Sequence, residues 1–276
     1  MGYQLTVTDF AQPDALTHLT AAETGLSRAL ARPKRIALAC IVALTGAGWL
    51  ALAMMSSGTT SGLWQALCRP SGAGALRDLA LTVPMWAAMT LAMMLPTAGP
   101  MVLTYAEIAD TGARKGETVV SPLVLTAGYV TVWFGFALAA SILQWALARA
   151  GLMTGGSVGR AFGGAIFIAA GFYQFSTLKQ ACLTQCQRPF PFFFSNWTDE
   201  RNGVFRLGLR QGLYCLGCCW AAMLVMFAVG TMNVVWMAAL GVLMTIEKVT
   251  TTPRFSRAVG AAFVVAGLVM VGFSVL

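Results

Sequence analysis

The chain has 276 residues, of which 58% are hydrophobic and only 10% are charged. Water-soluble domains usually carry about 25% charged residues, so this composition excludes an ordinary soluble protein. The net charge of +8 does not indicate nucleic-acid binding, because the basic residues lie between apolar segments. Several of these segments reach about 18 residues or more, enough to cross a hydrocarbon core about 30 Å thick. Because they are continuously apolar rather than alternating, they predict membrane-spanning helices.

The predicted fold class is all-α, a polytopic transmembrane helical bundle of about seven spans. Residues 1–35 are polar and contain no apolar core of a cleaved signal peptide, so we predict a cytoplasmic N-terminal tail there. Residues 36–276 are predicted to form a single transmembrane domain. The predicted spans are 36–56, 80–106, 122–149, 159–179, 211–229, 232–248 and 257–275.

Lysine and arginine residues set the predicted orientation, because cytoplasmic loops of membrane proteins are enriched in them. With a cytoplasmic N-terminus, most of the 18 basic residues fall on the cytoplasmic side. An odd number of spans then places the C-terminus outside. The basic residues left outside are Arg69, Arg77, Arg149 and Arg160.

Cysteines provide the main chemical signal of the sequence. Cys218 and Cys219 follow Cys215 by three and four residues, so on a helix the three share one face. Met223, four residues after Cys219, continues that face. Thiolates together with thioethers favour Cu(I), whereas thiolates alone also suit Zn(II). We therefore predict these three cysteines as primary ligands of a soft metal ion. The alternative is simple packing, because cysteine is among the most buried residue types.

A second cysteine pair, Cys182 and Cys186, is predicted to form an entry site or a second site for the ion. The predicted topology places this pair near the cytoplasmic face. Cytosolic thiols are normally reduced, so metal binding is favoured over a structural disulfide.

Methionines in the second predicted span extend the set of soft donors. Pro96 and Pro100 should break the helix there and free carbonyl groups that lipid cannot satisfy, so the broken backbone must be covered by protein. In the predicted topology, this broken segment lies at the depth of Cys215. The thioethers predicted to bind the ion deeper in the membrane are those of Met89, Met93, Met94 and Met223.

Three further patterns carry structural predictions. Glu247 and Lys248 end the sixth span and are predicted to be an interfacial ion and a lysine that reaches towards the interface. The alternative gives Glu247 a basic partner or a role in proton transfer. The phenylalanine-rich run 189–194 is too short to span and predicts an interfacial anchor or a re-entrant turn. Glycines spaced four residues apart predict helix packing, namely Gly155, Gly159 and Gly163.

Six strings of residues, taken in order, resemble a bacterial family of predicted metal-binding integral membrane proteins. The resemblance covers roughly residues 80–270 and implies a multi-span protein of the bacterial inner membrane that binds a metal. It implies no reaction. Its motif positions coincide with the cysteines already named and with Met85, Met89, Met93 and Met94, while Thr177 stands where the family pattern has proline. The strings are Met85-Trp86 through Pro96, Tyr173-Gln174 through Lys179, Cys182 through Cys186, Cys215 through Trp220, Met232-Asn233 with Trp236-Met237-Ala238, and Glu247-Lys248.

The predicted function is binding of a soft metal, copper as Cu(I) with zinc as the alternative, in transport or in delivery to another membrane or metal-handling protein. We predict no enzymatic activity. We also predict that the chain is not an ATP-driven pump on its own, because the sequence shows no Gly-rich phosphate-binding loop and hence no nucleotide site. One alternative is a non-catalytic assembly or anchoring subunit of a membrane complex, in which the cysteines only pack. The other is a membrane thiol–disulfide oxidoreductase that uses the Cys-x-x-Cys spacing of Cys215 and Cys218, which would require an oxidising face.

Overall fold

The computed structural model describes residues 33–56, 75–152, 157–230 and 233–275. These residues form helices and no strand, which confirms the all-α prediction for the described part of the chain. The predicted N-terminal tail lies almost entirely outside it. The helices are α1 (Pro33–Ser56), α2 (Ala75–Thr97), α3 (Gly99–Arg114), α4 (Pro122–Arg149), α5 (Ser157–Gln174), α6 (Thr177–Gln187), α7 (Pro189–Ser195), α8 (Arg201–Leu224), α9 (Met226–Val229), α10 (Val234–Val249) and α11 (Pro253–Val275).

Five segments of the described chain are long and apolar enough to cross a membrane. A sixth candidate is α5 with α6, two helices that meet at an angle of 65°. The predicted sixth span corresponds to α10, whose 16 residues are fewer than the roughly 20 that a crossing usually needs. The five segments are Lys34–Met54, Asp78–Thr97, Pro122–Arg149, Arg201–Val229 and Pro253–Ser274.

The predicted second span is divided at Ala98, which separates α2 from α3. Pro96 lies in the last turn of α2, where it removes one backbone donor, and Pro100 lies in the first turn of α3, where a proline is tolerated. The carbonyl of Met94 at this break accepts hydrogen bonds from the Thr97 hydroxyl at 2.8 Å and from the Tyr129 hydroxyl at 3.0 Å. A side chain from another helix therefore contacts the backbone at this break.

The predicted fourth span also ends earlier than expected, because α5 stops at Gln174 and the chain turns into α6. The hydroxyl of Ser176 caps α6 by accepting a hydrogen bond from the backbone amide of Lys179 at 3.1 Å. Thr177 is the first residue of α6, a position at which proline is favoured in helices. The bend therefore forms with Thr177 at the position where the resemblance implies a proline.

The phenylalanine-rich run forms the short helix α7 rather than a re-entrant turn. Phe192 and Phe193 are buried, whereas Phe190 and Phe194 are exposed, with their rings stacked 6.2 Å apart. One side of α7 thus packs on the bundle and the other presents aromatic rings outward, the distribution expected of an interfacial anchor.

Helices α4 and α8 approach each other closely at two glycines. A Cβ atom at Gly128 would lie 2.3 Å from the carbonyl oxygen of Phe205, and one at Gly208 would lie 2.1 Å from that of Leu125. Backbones can approach this closely only where side chains are absent. The approach matters for the site described below, since Tyr129 on α4 lies opposite Cys215 on α8.

We expect Gly128→Ala to destabilise the protein by about 2–3 kcal/mol, because the added methyl group meets backbone atoms rather than a movable side chain. Gly135 is a matched control on the same helix, since a Cβ atom there meets nothing within 4 Å. Gly135→Ala should be neutral or slightly stabilising. The midpoint of unfolding in a titration with SDS measures both, and equal midpoints for the two variants would contradict the prediction.

A second close pair, α5 and α11, is also built on glycines. A Cβ atom at Gly164 would lie 2.8 Å from the carbonyl oxygen of Gly267, and one at Gly171 would lie 2.8 Å from that of Gly260. The predicted packing glycine Gly163 is buried against Met270 and Ala228, but the closest contacts are made by its neighbours on the helix. Of the other two predicted packing glycines, Gly159 is only partly buried, and Gly155 lies outside the described residues.

The contacts also fix the relative directions of the helices. Gly48 of α1 packs on Ala92 of α2, while Lys34 lies 3.6 Å from Glu107 of α3, so α1 runs antiparallel to α2 and α3. Helices α4 and α8 run parallel, and α5 and α11 run antiparallel. The predicted tight hairpin between the fifth and sixth spans includes residues 231–232, which lie outside the described residues.

Candidate metal centre

Three cysteines of α8 converge inside the bundle. Cys215, Cys218 and Cys219 are each 2% exposed, and their sulfur atoms all lie within 4.8 Å of one another. The Sγ atoms of Cys218 and Cys219 are 3.3 Å apart. A zinc–thiolate bond is about 2.3 Å long, so two thiolates on one such ion lie at most about 4.6 Å apart. The three sulfurs therefore need only small movements to hold a single soft ion.

The cysteine pair of α6 divides into two positions. Cys186 joins the edge of the α8 cluster, with its Sγ atom 4.0 Å from that of Cys218. Cys182 lies one turn away against the backbone of Gly217, where a Cβ atom would come within 2.6 Å of its sulfur. Both residues are partly exposed, in contrast to the buried cysteines of α8. Cys186 is thus the cysteine of this cluster that is partly exposed at the surface of the helical bundle.

A lysine, Lys248 of α10, reaches into the cluster. Its Nζ atom donates to Cys215 Sγ at 2.9 Å and to the hydroxyl of Thr97 at 2.5 Å. The Tyr129 hydroxyl lies 3.0 Å from Cys215 Sγ and donates to the carbonyl of Met94. Helices α4, α8 and α10 therefore meet at the Cys215 sulfur, and α2 contacts its two polar neighbours through the Thr97 hydroxyl and the Met94 carbonyl. The break in α2 does lie beside Cys215, which the predicted depths of the two spans had suggested.

The favoured prediction for Glu247 and Lys248 was wrong, because both side chains are buried rather than interfacial. The carboxylate of Glu247 accepts hydrogen bonds from Lys179 Nζ at 2.9 and 2.8 Å. The same ammonium group donates to the side-chain carbonyl of Gln174, which also accepts from Ser256. The alternative interpretation, that Glu247 pairs with a basic group, is the one that the structure shows.

A model of the PpoB2 family, described as copper chaperones, matches residues 83–270, well over half of the chain. The chain belongs to this family. The match includes every residue of the sulfur cluster and its polar neighbours. No curated protein and no solved structure matches the chain.

Membership in the PpoB2 family supports the copper-related part of the sequence prediction. The cysteine cluster is compatible with a soft metal in general, because thiolates also suit Zn(II). Structural zinc sites almost always have four ligands, a number that the three cysteines of α8 reach only together with Cys186. Copper as the particular ion is argued below.

The four predicted thioether ligands are buried, but they are spread over the core. Met93 borders a cavity of about 270 Å³ between α1, α2 and α10, together with Trp49 and Gly241. Met94 contributes its main-chain carbonyl to the site. Met89 and Met223 are fully buried. Direct ligation by any of these thioethers stays a prediction.

Sequence reasoning missed three polar neighbours of the cluster, namely Lys248, Thr97 and Tyr129. For Lys248, a signal was present, since an ionisable residue within an apolar segment is by default a functional candidate. Threonine and tyrosine in an apolar helix give no comparable signal. Their roles depend on which helices are neighbours, and the sequence does not specify that.

Proposed function

We propose that this chain is an integral protein of the bacterial inner membrane that binds Cu(I) in its sulfur cluster and delivers it to another membrane or metal-handling protein. The observation that carries the proposal is the convergence of Cys215, Cys218 and Cys219, with Cys186 at their edge. Membership in a family described as copper chaperones supports copper as the ion. Soft thiolates are the donors that Cu(I) prefers.

We also propose a topology with a cytoplasmic N-terminus and seven crossings, in which α2 with α3, α5 with α6, and α8 with α9 each form one crossing and α10 is a short crossing. The antiparallel and parallel pairs described above agree with alternating directions along the chain. Met244, Glu247 and Lys248 at the C-terminal end of α10 are buried by its neighbours. The polar groups of that end are therefore covered by protein, which makes a length below the usual minimum less costly. The C-terminus would then lie outside.

Delivery requires an ion that is held and also released. In the proposed sequence, Cu(I) first binds the partly exposed Cys186 and then moves to the buried sulfurs of α8, 4.0 Å beyond it. Each move forms one copper–sulfur bond and breaks another, so copper keeps its +1 charge throughout. The thiol that becomes a ligand releases a proton, and the thiolate that leaves takes one up.

Sealed proteoliposomes distinguish delivery from transport. Cu(I) is added outside liposomes that contain a chromophoric Cu(I) chelator, and an acceptor protein with a two-cysteine Cu(I) site is then added outside. The proposal expects copper to load onto the protein and pass to the acceptor, while the internal chelator stays colourless. Coloration of the chelator at a rate that depends on the protein would overturn delivery in favour of transport.

Lys248→Met is expected to weaken Cu(I) binding by at least about tenfold. Three thiolates with one Cu(I) carry a net charge of −2, and two unit charges 4 Å apart interact by about 4 kcal/mol at an effective dielectric constant of 20. Removing an ammonium group 2.9 Å from Cys215 Sγ removes that compensation. Competition with a Cu(I) chelator of known affinity measures the change, and Lys248→Arg should retain most of the affinity. Unchanged binding by Lys248→Met would show that the ammonium does not support the bound ion.

A further inference from the structure

A polar cavity of about 370 Å³ opens where α6, α7 and α8 meet. Two arginines, Arg188 and Arg210, line it together with the amide and hydroxyl groups of Asn196, Gln185 and Ser195. No aspartate or glutamate lines this cavity in the described part of the chain. Its walls therefore carry a net positive charge and many hydrogen-bond donors, the chemistry that binds a small anion.

The guanidinium group of Arg210 is held in position before any ligand binds. One of its nitrogens donates to the side-chain oxygen of Asn196 at 3.0 Å, and the group lies over the ring of Phe192, 5.9 Å from its centroid. Among the described residues, neither Arg188 nor Arg210 is in an ion pair. Both keep donors available, and guanidinium groups bind carboxylates through two parallel hydrogen bonds.

The cavity is next to the outer edge of the sulfur cluster. Its wall residue Gln185 precedes Cys186 in the chain, and its wall residue Tyr214 precedes Cys215. The carbonyl of Gln185 accepts a hydrogen bond from Gln211 at 3.4 Å, which ties this wall to α8. No cysteine lines the cavity in the described part of the chain, but a molecule bound by the arginines would lie one residue along α6 from Cys186, through which we propose that copper enters.

We propose that this cavity binds the carboxylates of a small thiol compound that carries Cu(I) to Cys186. The inference rests on the proposed function, since it names the donor from which the site receives its ion. The cavity has the size of a small-molecule site rather than of a protein interface. In the transfer, a bond forms between copper and the Cys186 sulfur, and the bond between copper and the small thiolate breaks. Copper stays Cu(I), and the proton of the Cys186 thiol moves to the departing thiolate.

Binding of S-methylglutathione tests the cavity independently of copper, because this compound keeps both carboxylates and cannot bind the ion as a thiolate. The protein is studied as the full chain in detergent by isothermal titration calorimetry. We expect the variant with Arg188→Gln and Arg210→Gln to bind it about tenfold more weakly, the loss of one or two charge-assisted hydrogen bonds. Arg206→Gln is the control, because Arg206 is also exposed on α8 and does not line the cavity. No binding by the wild-type protein, or equal binding by the double variant, would overturn the proposal.

The rate at which the protein loads copper provides a second test of the proposal. The rate of loading from Cu(I)–glutathione is divided by the rate from the Cu(I)–acetonitrile complex, whose ligands carry no carboxylate. This ratio should fall about tenfold in the double variant, in line with its weaker carboxylate binding. A wild-type protein that binds S-methylglutathione but loads no copper from either source would refute the proposed function and leave the anion site standing.

The cavity lies beside the proposed interfacial helix α7, where lipid headgroups are close. An anionic headgroup carries the same sign of charge as the carboxylates and could occupy the cavity in their place. Both measurements are therefore repeated in nanodiscs of phosphatidylcholine alone and of phosphatidylcholine with phosphatidylglycerol. The proposal expects S-methylglutathione to bind in both, with the same dependence on the two arginines. Binding abolished by phosphatidylglycerol, in the wild-type protein, would assign the cavity to headgroups and overturn the proposal.

Discussion

The variant with Cys215→Ser, Cys218→Ser and Cys219→Ser is expected to retain less than about a tenth of the copper bound by the wild-type protein, because serine hydroxyls are hard donors with little affinity for Cu(I). The wild-type protein should hold about one copper ion, since the three sulfurs lie close enough to share one ion. Metal content per protein is measured after growth with copper or with zinc and anaerobic purification in detergent. All three side chains are buried, so the variant must also be shown to fold, by its helical circular dichroism and its elution as a single species.

Cys40→Ser is the matched control for this prediction. Cys40 is a free cysteine on α1, outside the cluster and outside the residues that the family match covers. Its replacement should leave the copper content unchanged. Zinc at one ion per protein, lost in the triple variant, would instead point to a structural thiolate site. A folded wild-type protein without any metal would contradict copper binding and favour the assembly subunit, in which the cysteines only pack.

The shared face of the α8 cysteines could be predicted because a helix repeats every 3.6 residues. Spacings of three and four residues place Cys215, Cys218 and Cys219 on one side, and the apolar composition of the segment predicts the helix itself. The structure adds that Met223 and this face are turned inward. Local periodicity was sufficient here, since the three ligands belong to one helix.

The partners from other helices could not be predicted in the same way. Lys248 lies 33 positions after Cys215, and Thr97 lies 151 positions before Lys248, yet the Lys248 ammonium group contacts both. Their meeting depends on which helices pack side by side. Predicted membrane depth placed Thr97 and Cys215 at the same level, but depth does not determine the order of helices around the bundle.

Glu247 and Lys248 were assigned to the interface because charged residues at the end of a span usually extend towards water. In the structure the Glu247 side chain is buried instead, because α6 places Lys179 beside it. The bend that makes this contact occurs at Phe175 and Ser176, in a segment that the sequence predicted as one continuous span. An error in one helix boundary therefore concealed a buried ion pair.

Lys179→Met is expected to lower the free energy of unfolding by about 3–5 kcal/mol, because it leaves the carboxylate of Glu247 buried without its ammonium partner. The two side chains are 1% and 3% exposed, and Nζ lies within 2.9 Å of both carboxylate oxygens. Unfolding in a titration with SDS measures the loss. Arg114→Met is the matched control, because the pair of Arg114 with Asp110 has the same 2.8 Å distance but a largely exposed arginine. It should cost less than about 1 kcal/mol.

The double variant with Lys179→Met and Glu247→Met separates the charge from the packing. Replacing both members of a buried pair by apolar residues of similar volume is often neutral or stabilising, so most of the lost stability should return.

The end of α10 should also keep its position in this double variant, since Gln187 donates to the main-chain carbonyls of Glu247 and Thr250 at 2.9 and 2.8 Å. Lys248 would then still reach Cys215, and the double variant should bind Cu(I) with about the affinity of the wild-type protein. A double variant as unstable as Lys179→Met would show that packing at this position, rather than the unpaired carboxylate, causes the loss. Restored stability with weakened Cu(I) binding would instead show that the pair positions Lys248 beside the cluster.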